Sequence, residues 1–316
     1  MEFKEFKNME NERWGIIYCP KQGVQRSHKR WERIREYLTA REISYDFVQS
    51  EGLDSVSRLT TMLAQNGYRT IIIVGGDSAL NLALNSILAL GEEARNGIAL
   101  GVIPNGRGND WATFWGFDDD NDEQTVEWLA KRRLRKVDVG FIREKREDAA
   151  PPQYFLNCIN VGLVANIMNI KHKTRQWLVL RGLSYALSMV LLLFQRMETK
   201  MHLKVNEDEI HRRLMSLCIG SARGYGLTPS AVPYNGMLDV STVSHPAISQ
   251  LLGGTWLLLT GRILNHRNVR SYRTSRPINI FDTGHAPITI DGRATTIQTP
   301  FEVDLKKEYI NFIIPS

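Results

Sequence analysis

Over the first 137 residues short apolar runs alternate with longer mixed segments, and the period of each segment decides what it becomes. Ile71-Ile-Ile-Val74 and Ile98-Ala-Leu-Gly-Val-Ile103 are unbroken aliphatic runs ending at Gly or Pro, the pattern of strands buried on both faces. Leu80 to Glu93 between them is rich in Leu and Ala and predicts the crossover helix of a βαβ unit. Trp14 to Tyr18 predicts a first strand, His28 to Glu42 an amphipathic helix, Ser44 to Val48 a second strand, and Asp54 to Asn66 a helix capped by Asp54. Asp122 to Arg132 has an acidic first turn and a basic last turn, as the helix dipole favours. Strand and helix in alternation predict a doubly wound, parallel α/β domain over residues 12–137.

After Val137-Asp-Val-Gly140 the pattern changes. Arg143 to Pro152 is charged and Pro-containing and reads as an exposed loop. Short strands then dominate: Tyr154 to Val161, Lys200 to Val205, Met215 to Gly220, Met237 to Val243, Pro277 to Phe281, Pro287 to Ile290 and Phe301 to Leu305. With turn pairs such as Asn235-Gly236 and Asp291-Gly292, they predict an antiparallel β-sandwich over 138–300. The fold class is therefore α/β plus all-β, in two domains without internal repeats.

Candidate chemistry enters where the two apolar runs end. Each passes into a glycine-rich loop carrying Asp and Asn: Gly75-Gly-Asp-Ser-Ala-Leu-Asn81 and Pro104-Asn-Gly-Arg-Gly-Asn-Asp110. Glycine lets backbone N–H groups approach phosphate oxygens, and a following helix N-terminus adds a favourable dipole. One such loop is as well explained by a tight strand-to-helix turn; two loops one crossover apart favour a nucleotide phosphate site. No G-x-G-x-x-G opens a helix, and Gly101-x-x-x-x-Gly106 is followed by Arg107-Gly108 in place of Lys-Ser/Thr, so a Walker or Rossmann assignment would be forced.

Length and composition change the picture little: 316 residues, 43% hydrophobic, suffice for two cores. The net charge is +6, with Arg262, Arg267, Arg270, Arg273, Arg276 and His266 in one stretch lacking acids, and Lys171, Lys173 and Arg175 in another. Such stretches are either solvated basic faces or docking surfaces for anionic partners; the expectation is a peripheral anionic membrane and no nucleic acid. Cys19, Cys158 and Cys218 stand in apolar surroundings without CxxC spacing, which argues against disulfides and zinc and fits a reducing cytoplasm. The charged start, Met1 to Lys7, lacks the apolar core of a secretion signal. Trp177 to Phe194 is apolar but holds Arg181, Gly182, Ser184 and Ser188, and reads as a helix lining an apolar cleft in preference to a membrane span.

The loops carry a resemblance. Gly75 to Asn81 resembles the G-G-D-G-T-x-N loop of the diacylglycerol kinase catalytic family, which includes bacterial lipid kinases and sphingosine kinases, and Pro104 to Asp110 resembles its P-x-G-T-x-N-D motif. Cys19-Pro-Lys-Gln-Gly23 stands where the family has N-P-x-S-G, and Phe155-Leu-Asn157 through Val161-Gly162 where it has F-x-N and G-x-G. Pro229 to Asp239 resembles P-x-A-x-x-x-D-G-x-L-D, and Asp291-Gly-Arg293 the late D-G-E. The resemblance implies an N-terminal domain like those of NAD kinase and phosphofructokinase, a C-terminal β-sandwich, and a final segment, 301–316, returning to the first domain. It implies transfer of the ATP γ-phosphoryl group to a lipid hydroxyl with Mg²⁺, at a membrane surface, in phospholipid metabolism.

Carried over residue by residue, the resemblance implies nucleotide contacts at Gly75, Gly76, Asp77, Ser78, Ala79, Asn81, Gly106, Arg107, Asn109 and Asp110. Catalytic positions are Asp77, Asp291 and Arg293, the last at the family's glutamate; a structural Mg²⁺ would fall at Val232, Asn235 and Met237. Several positions depart. Ser78-Ala79 replaces Gly-Thr, Arg107 replaces Thr, Asn235 replaces the metal aspartate, and Arg293 cannot accept a proton at neutral pH. Three functions follow: a lipid kinase acting on a diacylglycerol-like or sphingoid lipid, a catalytically silent nucleotide- or lipid-binding regulator, and a soluble-substrate kinase sharing only the G-G-D loop. A homodimer is left open.

Overall fold

A computed structural model describes residues 13–20, 25–106, 108–117, 120–165, 198–223, 227–245 and 262–316. The chain divides into two compact units, Met1–Val137 with Tyr309–Ser316, and Asp138–Glu308. The segment Trp177 to Phe194 and the residues Lys171, Lys173, Arg175 and Arg107 lie outside the described residues. Among the described residues no helix is long and apolar enough to cross a membrane.

The first unit is a mixed α/β domain. Its strands are β1 (Trp14–Tyr18), β2 (Tyr45–Gln49), β3 (Thr70–Gly75), β4 (Ala99–Pro104) and the end of β16 (Phe301–Ile313), parallel in the order β2-β1-β3-β4-β16. Every residue of β1, β3 and β4 is buried, as unbroken aliphatic runs require. Helix α1 (Gln25–Ala40) contacts α6 (Asp122–Lys131), and α2 (Leu53–Gln65) contacts α3 (Asp77–Ala89). Right-handed crossovers place those pairs on opposite faces of the sheet. The chain leaves β1 toward β2 and returns past it to β3, so the winding reverses between β1 and β3. Open parallel sheets bind ligands beyond the carboxyl ends of the strands at such a reversal.

Two helix starts differ from the sequence expectation. Helix α2 begins behind Gly52, whose N–H donates to Ser55 Oγ at 3.4 Å and whose carbonyl accepts from the same hydroxyl at 2.8 Å; Asp54 lies in the first turn and is not the cap. Helix α3 begins at Asp77, inside the glycine loop, because Gly76 in extended conformation turns the chain directly into it. A separate α4 (Glu92–Gly97) follows Gly91, whose φ of 96° interrupts the helix.

The second unit is rich in sheet. One antiparallel sheet runs β12 (Val269–Thr274), β11 (Leu238–Val243), β10 (Ser216–Gly220), β7 (Cys158–Gly162), β14 (Ile288–Ile290), β15 (Arg293–Ala294). The other runs from the start of β16 through β13 (Ile278–Asp282) and β8 (Thr199–Val205) to β9 (Asp208–Leu214), with β5 (Leu134–Glu144) pairing β16 and β6 (Gln153–Phe155). Ile159, Val161, Leu217, Ile219 and Val240 of the first sheet and Leu203, Val205, Ile278, Ile280 and Val303 of the second share one apolar core.

Here too the sequence reading needs correction. The run Tyr154 to Val161 is two strands broken at Leu156-Asn157, and β5 extends to Glu144 into the expected loop. Strands β9 and β12 were not legible as strands because both are half-exposed edges carrying charges. Strand β16 is 13 residues long, bends at Glu308 with φ of 47°, and passes to the first unit at Tyr309, well beyond residue 301.

On β5 and β6, Gly140 faces Phe155 directly across the strands, and a Cβ added there would fall inside the fully buried Phe155 ring. Gly140→Ala is expected to destabilise the protein by about 1–3 kcal/mol through overpacking, read as a lowered urea midpoint with unchanged slope.

Candidate functional site

The two glycine loops leave neighbouring strands and are joined at once. The Asn105 N–H donates to the Gly75 carbonyl at 2.8 Å, extending the ladder between β3 and β4 by one rung. A Cβ added at Gly76 would lie 2.8 Å from the Gly106 Cα, and one added at Gly106 would lie 2.6 Å from the Gly76 Cα, so the loops touch backbone to backbone. Only glycine permits that approach at both positions. Asn109, in left-handed conformation with φ of 54°, accepts from the Gly106 N–H through Oδ1 at 2.8 Å and closes the second loop on itself.

Asp77 fastens one loop to the other. Its Oδ2 accepts from the Asp110 N–H at 3.0 Å and its Oδ1 from the Trp111 N–H at 3.1 Å, the first donors of α5 (Asp110–Trp115). The carboxylate of the first loop thus caps the short helix of the second. A Cβ added at Gly108 would lie 3.5 Å from both Asp77 Oδ2 and Asp110 Oδ2, so the two carboxylates face the same glycine. Ser78 is half-buried at the start of α3, while Ala79 and Asn81 are buried in it. Ala79 packs under Gly75 and offers no hydroxyl where the family pattern has threonine.

Two supports were not anticipated. Arg30 of α1 donates through Nη1 to the Pro104 carbonyl at 2.7 Å, while its Nε and Nη2 hold Asp122 at 2.9 Å and 2.6 Å, with Arg33 adding a bond of 3.0 Å. Asp122 is only 1% exposed, so this ion pair fixes α1, α6 and the start of the second loop together. Cys19 follows β1 at the winding reversal; its carbonyl accepts from Asn105 Nδ2 at 3.2 Å. Burial pushes the Cys19 thiol up, a hydrogen bond from Ser50 opposing it in part, so the group is not a ready thiolate.

In the second unit, Asp291 and Gly292 form the two-residue tip of the β14–β15 hairpin, with φ of 44° and 78°. The Asp291 side chain is 1% exposed and turns inward. It accepts from the N–H groups of Leu156 at 2.8 Å, Asn157 at 2.9 Å and Cys158 at 3.0 Å, satisfying the backbone where β6 breaks from β7. Arg293 closes the hairpin opposite Ile290.

The positions implied for a structural Mg²⁺ do not fit one. The Val232 carbonyl already accepts from Tyr234 N–H at 2.9 Å and Asn235 N–H at 3.4 Å, and Asn235 Oδ1 accepts from Met237 N–H at 2.9 Å. These donors are neutral, whereas Mg²⁺ is held by carboxylates. An ammonium is already beside the turn: a Cβ at Gly236 would lie 3.0 Å from Lys307 Nζ. The loop is instead clamped by Asp138, which accepts from Gly236 N–H at 2.7 Å and Glu308 N–H at 2.9 Å and donates its own N–H to Pro233 O at 2.8 Å. Among the described residues no group of three His, Cys, Asp or Glu is arranged to hold a metal.

The basic stretch is partly neutralised. Arg273 holds Asp239 through bonds of 2.6 Å and 3.0 Å, and Arg276 pairs with Glu207 at 2.7 Å, which leaves Arg262, Arg267 and Arg270 as its exposed cations.

The two glycine loops touch beyond the carboxyl ends of the neighbouring parallel strands β3 and β4. Residues 13–142 match the model of the diacylglycerol kinase catalytic domain. Its whole fold is similar to crystal structures from Bacillus anthracis str. Sterne. One, titled a "putative diacylglycerol kinase", is 18% identical with a TM-score of 0.74, and a second so titled is 17% identical with a TM-score of 0.73. A third, titled a diacylglycerol kinase, is 15% identical with a TM-score of 0.68; each comparison covers 97% of this chain and 98% of the other. No curated protein matches.

Two outcomes follow from the second unit. Asp291→Asn keeps a residue that tolerates φ > 0 but turns an amide toward backbone donors, and is expected to cost about 2 kcal/mol or more in chemical denaturation. In the absence of nucleotide, Tm is expected to be the same in excess chelator and in millimolar Mg²⁺, since Asn235 and its neighbours need no metal; a saturable rise in Tm with Mg²⁺ contradicts this.

Proposed function

We propose that the protein is an ATP-dependent lipid kinase that transfers the γ-phosphoryl group to a hydroxyl of a diacylglycerol-like or sphingoid lipid, with low turnover. The observation that carries this reading is the Asp77 carboxylate capping the helix of the second loop, which holds two glycine loops in contact beyond the ends of β3 and β4, in the region that matches the diacylglycerol kinase catalytic domain. Phosphoryl transfer depends mostly on positioning and charge neutralisation. Gly75, Gly76 and Gly106 allow backbone to approach the phosphates, with Ser78, Ala79, Asn81 and Asn109 shaping the loops around them. Asp77 and Asp110, facing Gly108, orient the metal–nucleotide complex; Mg²⁺, brought by the nucleotide, would supply neutralisation of phosphate charge. Arg107 adds a cation to the second loop. Peripheral attachment at the cytoplasmic membrane surface through Arg262 and Arg267, at about 1 kcal/mol per well-placed charge, would bring the lipid within reach.

The low turnover rests on the proton acceptor. Arg293 occupies the family's glutamate position and cannot act as a base, and Asp291 is held by three backbone donors. These two observations also favour a second reading, a nucleotide- or lipid-binding regulator that does not turn over.

Incubating the pure protein with labelled ATP, Mg²⁺ and a total lipid extract separates them. A labelled lipid is expected from the wild type, and Asp77→Ala is expected to abolish it and to weaken nucleotide binding at least tenfold, about 1.4 kcal/mol. Nucleotide binding without any labelled lipid selects the regulator. Unchanged nucleotide affinity and turnover in Asp77→Ala removes the assignment of the loops.

A further inference from the structure

We infer that the second unit holds a separate binding site for a phosphate-sized anion, built from Arg212 and Arg270 at the open flank of its two sheets. Along β9, Ile210 and Leu214 belong to the shared core, so Arg212 between them is on the core-facing side of an edge strand. Along β12, Tyr272 packs against the same core, and Arg270, two residues earlier, shares its face. Thr242 continues the core-facing series Leu238 and Val240 on β11. The two arginines therefore come from edge strands of different sheets and line the same cavity of about 180 Å³, together with Thr242, Ser244 and Tyr272.

Charge makes this more than an edge-protecting pair of cations. Both arginines are solvent-exposed. Among the described residues neither guanidinium has a carboxylate partner within 4.0 Å, although Arg273 and Arg276 nearby both do. Asp208 and Glu209 also line the cavity, but Glu209 is engaged by His202 at 2.7 Å. Two guanidinium forks and three hydroxyls suit the oxygens of a phosphate. The volume is well below the roughly 300 Å³ at which small-molecule pockets begin and accommodates one phosphate with a few waters. The inference does not depend on the kinase reading, since no glycine-loop residue takes part.

The test uses the full chain, with inorganic phosphate followed by calorimetry and vesicles of phosphatidylcholine with or without phosphatidic acid followed by sedimentation. Phosphate held by the glycine loops contributes equally to all variants and cancels. The double variant Arg212→Gln/Arg270→Gln is expected to lose at least tenfold in one or both arms, Arg212→Lys/Arg270→Lys to retain part of the binding, and Arg262→Gln/Arg267→Gln to match wild type toward inorganic phosphate. Loss toward inorganic phosphate alone assigns a free anion; loss toward phosphatidic acid vesicles alone assigns a lipid headgroup. Matching circular dichroism and Tm show that the variants are folded. The inference is overturned if wild type binds neither probe, if the glutamine pair binds both as wild type does, or if Arg262→Gln/Arg267→Gln loses as much inorganic phosphate binding as the first pair.

Discussion

The bond pair from Asp77 to the backbone of Asp110 and Trp111 is the constraint on which the first unit's site depends. A six-residue helix such as α5 has too few internal hydrogen bonds to fix its own start. Its first donors are met by a carboxylate from the neighbouring loop, and that loop is in turn fixed by the start of α3. Once Asp77 is in place, Gly76 and Gly106 are driven together, and any side chain at either would force the loops apart. The ion pair of Arg30 with Asp122 acts from below by holding Pro104, the last residue of β4, so that the second loop departs from a fixed point.

The same device recurs in the second unit with different partners. Asp138 ties Gly236 and Glu308, and Asp291 ties Leu156, Asn157 and Cys158; in each case one carboxylate satisfies backbone donors that irregular chain would leave unpaired. Each donor orphaned in such a place costs about 1–3 kcal/mol, which makes these aspartates structural in the strict sense. Asp239 is held differently, by the two-pronged guanidinium of Arg273, and so joins β11 to β12.

What the sequence shows of this follows from the range of each interaction. The strands Trp14–Tyr18 and Thr70–Gly75 are legible because burial on both faces demands an unbroken aliphatic run, and the second unit's change of pattern is legible from its short strands and Asn-Gly and Asp-Gly turns. Edge strands are not, because β9 has only Ile210 and Leu214 buried and fills the other positions with charge. The two loops stand out as loops, yet Gly75-Gly-Asp-Ser conceals that α3 starts at Asp77. Long-range partners leave no local trace at all: Arg30 and Asp122 are 92 residues apart. Asp138 alone gave a hint, as a single acid inside the apolar run Val137 to Phe141.

This division bears on how the motif should be weighed. Asp77, Asp239 and Asp291 are among the acids by which the chain resembles lipid kinases, and each has a bond set that explains its presence through architecture. At two of the positions where the chain departs, Asn235 closes its own turn and Arg293 stands opposite Ile290 in a hairpin whose tip is Asp291-Gly292. The retained aspartates are accounted for by architecture, so their presence alone is no measure of turnover.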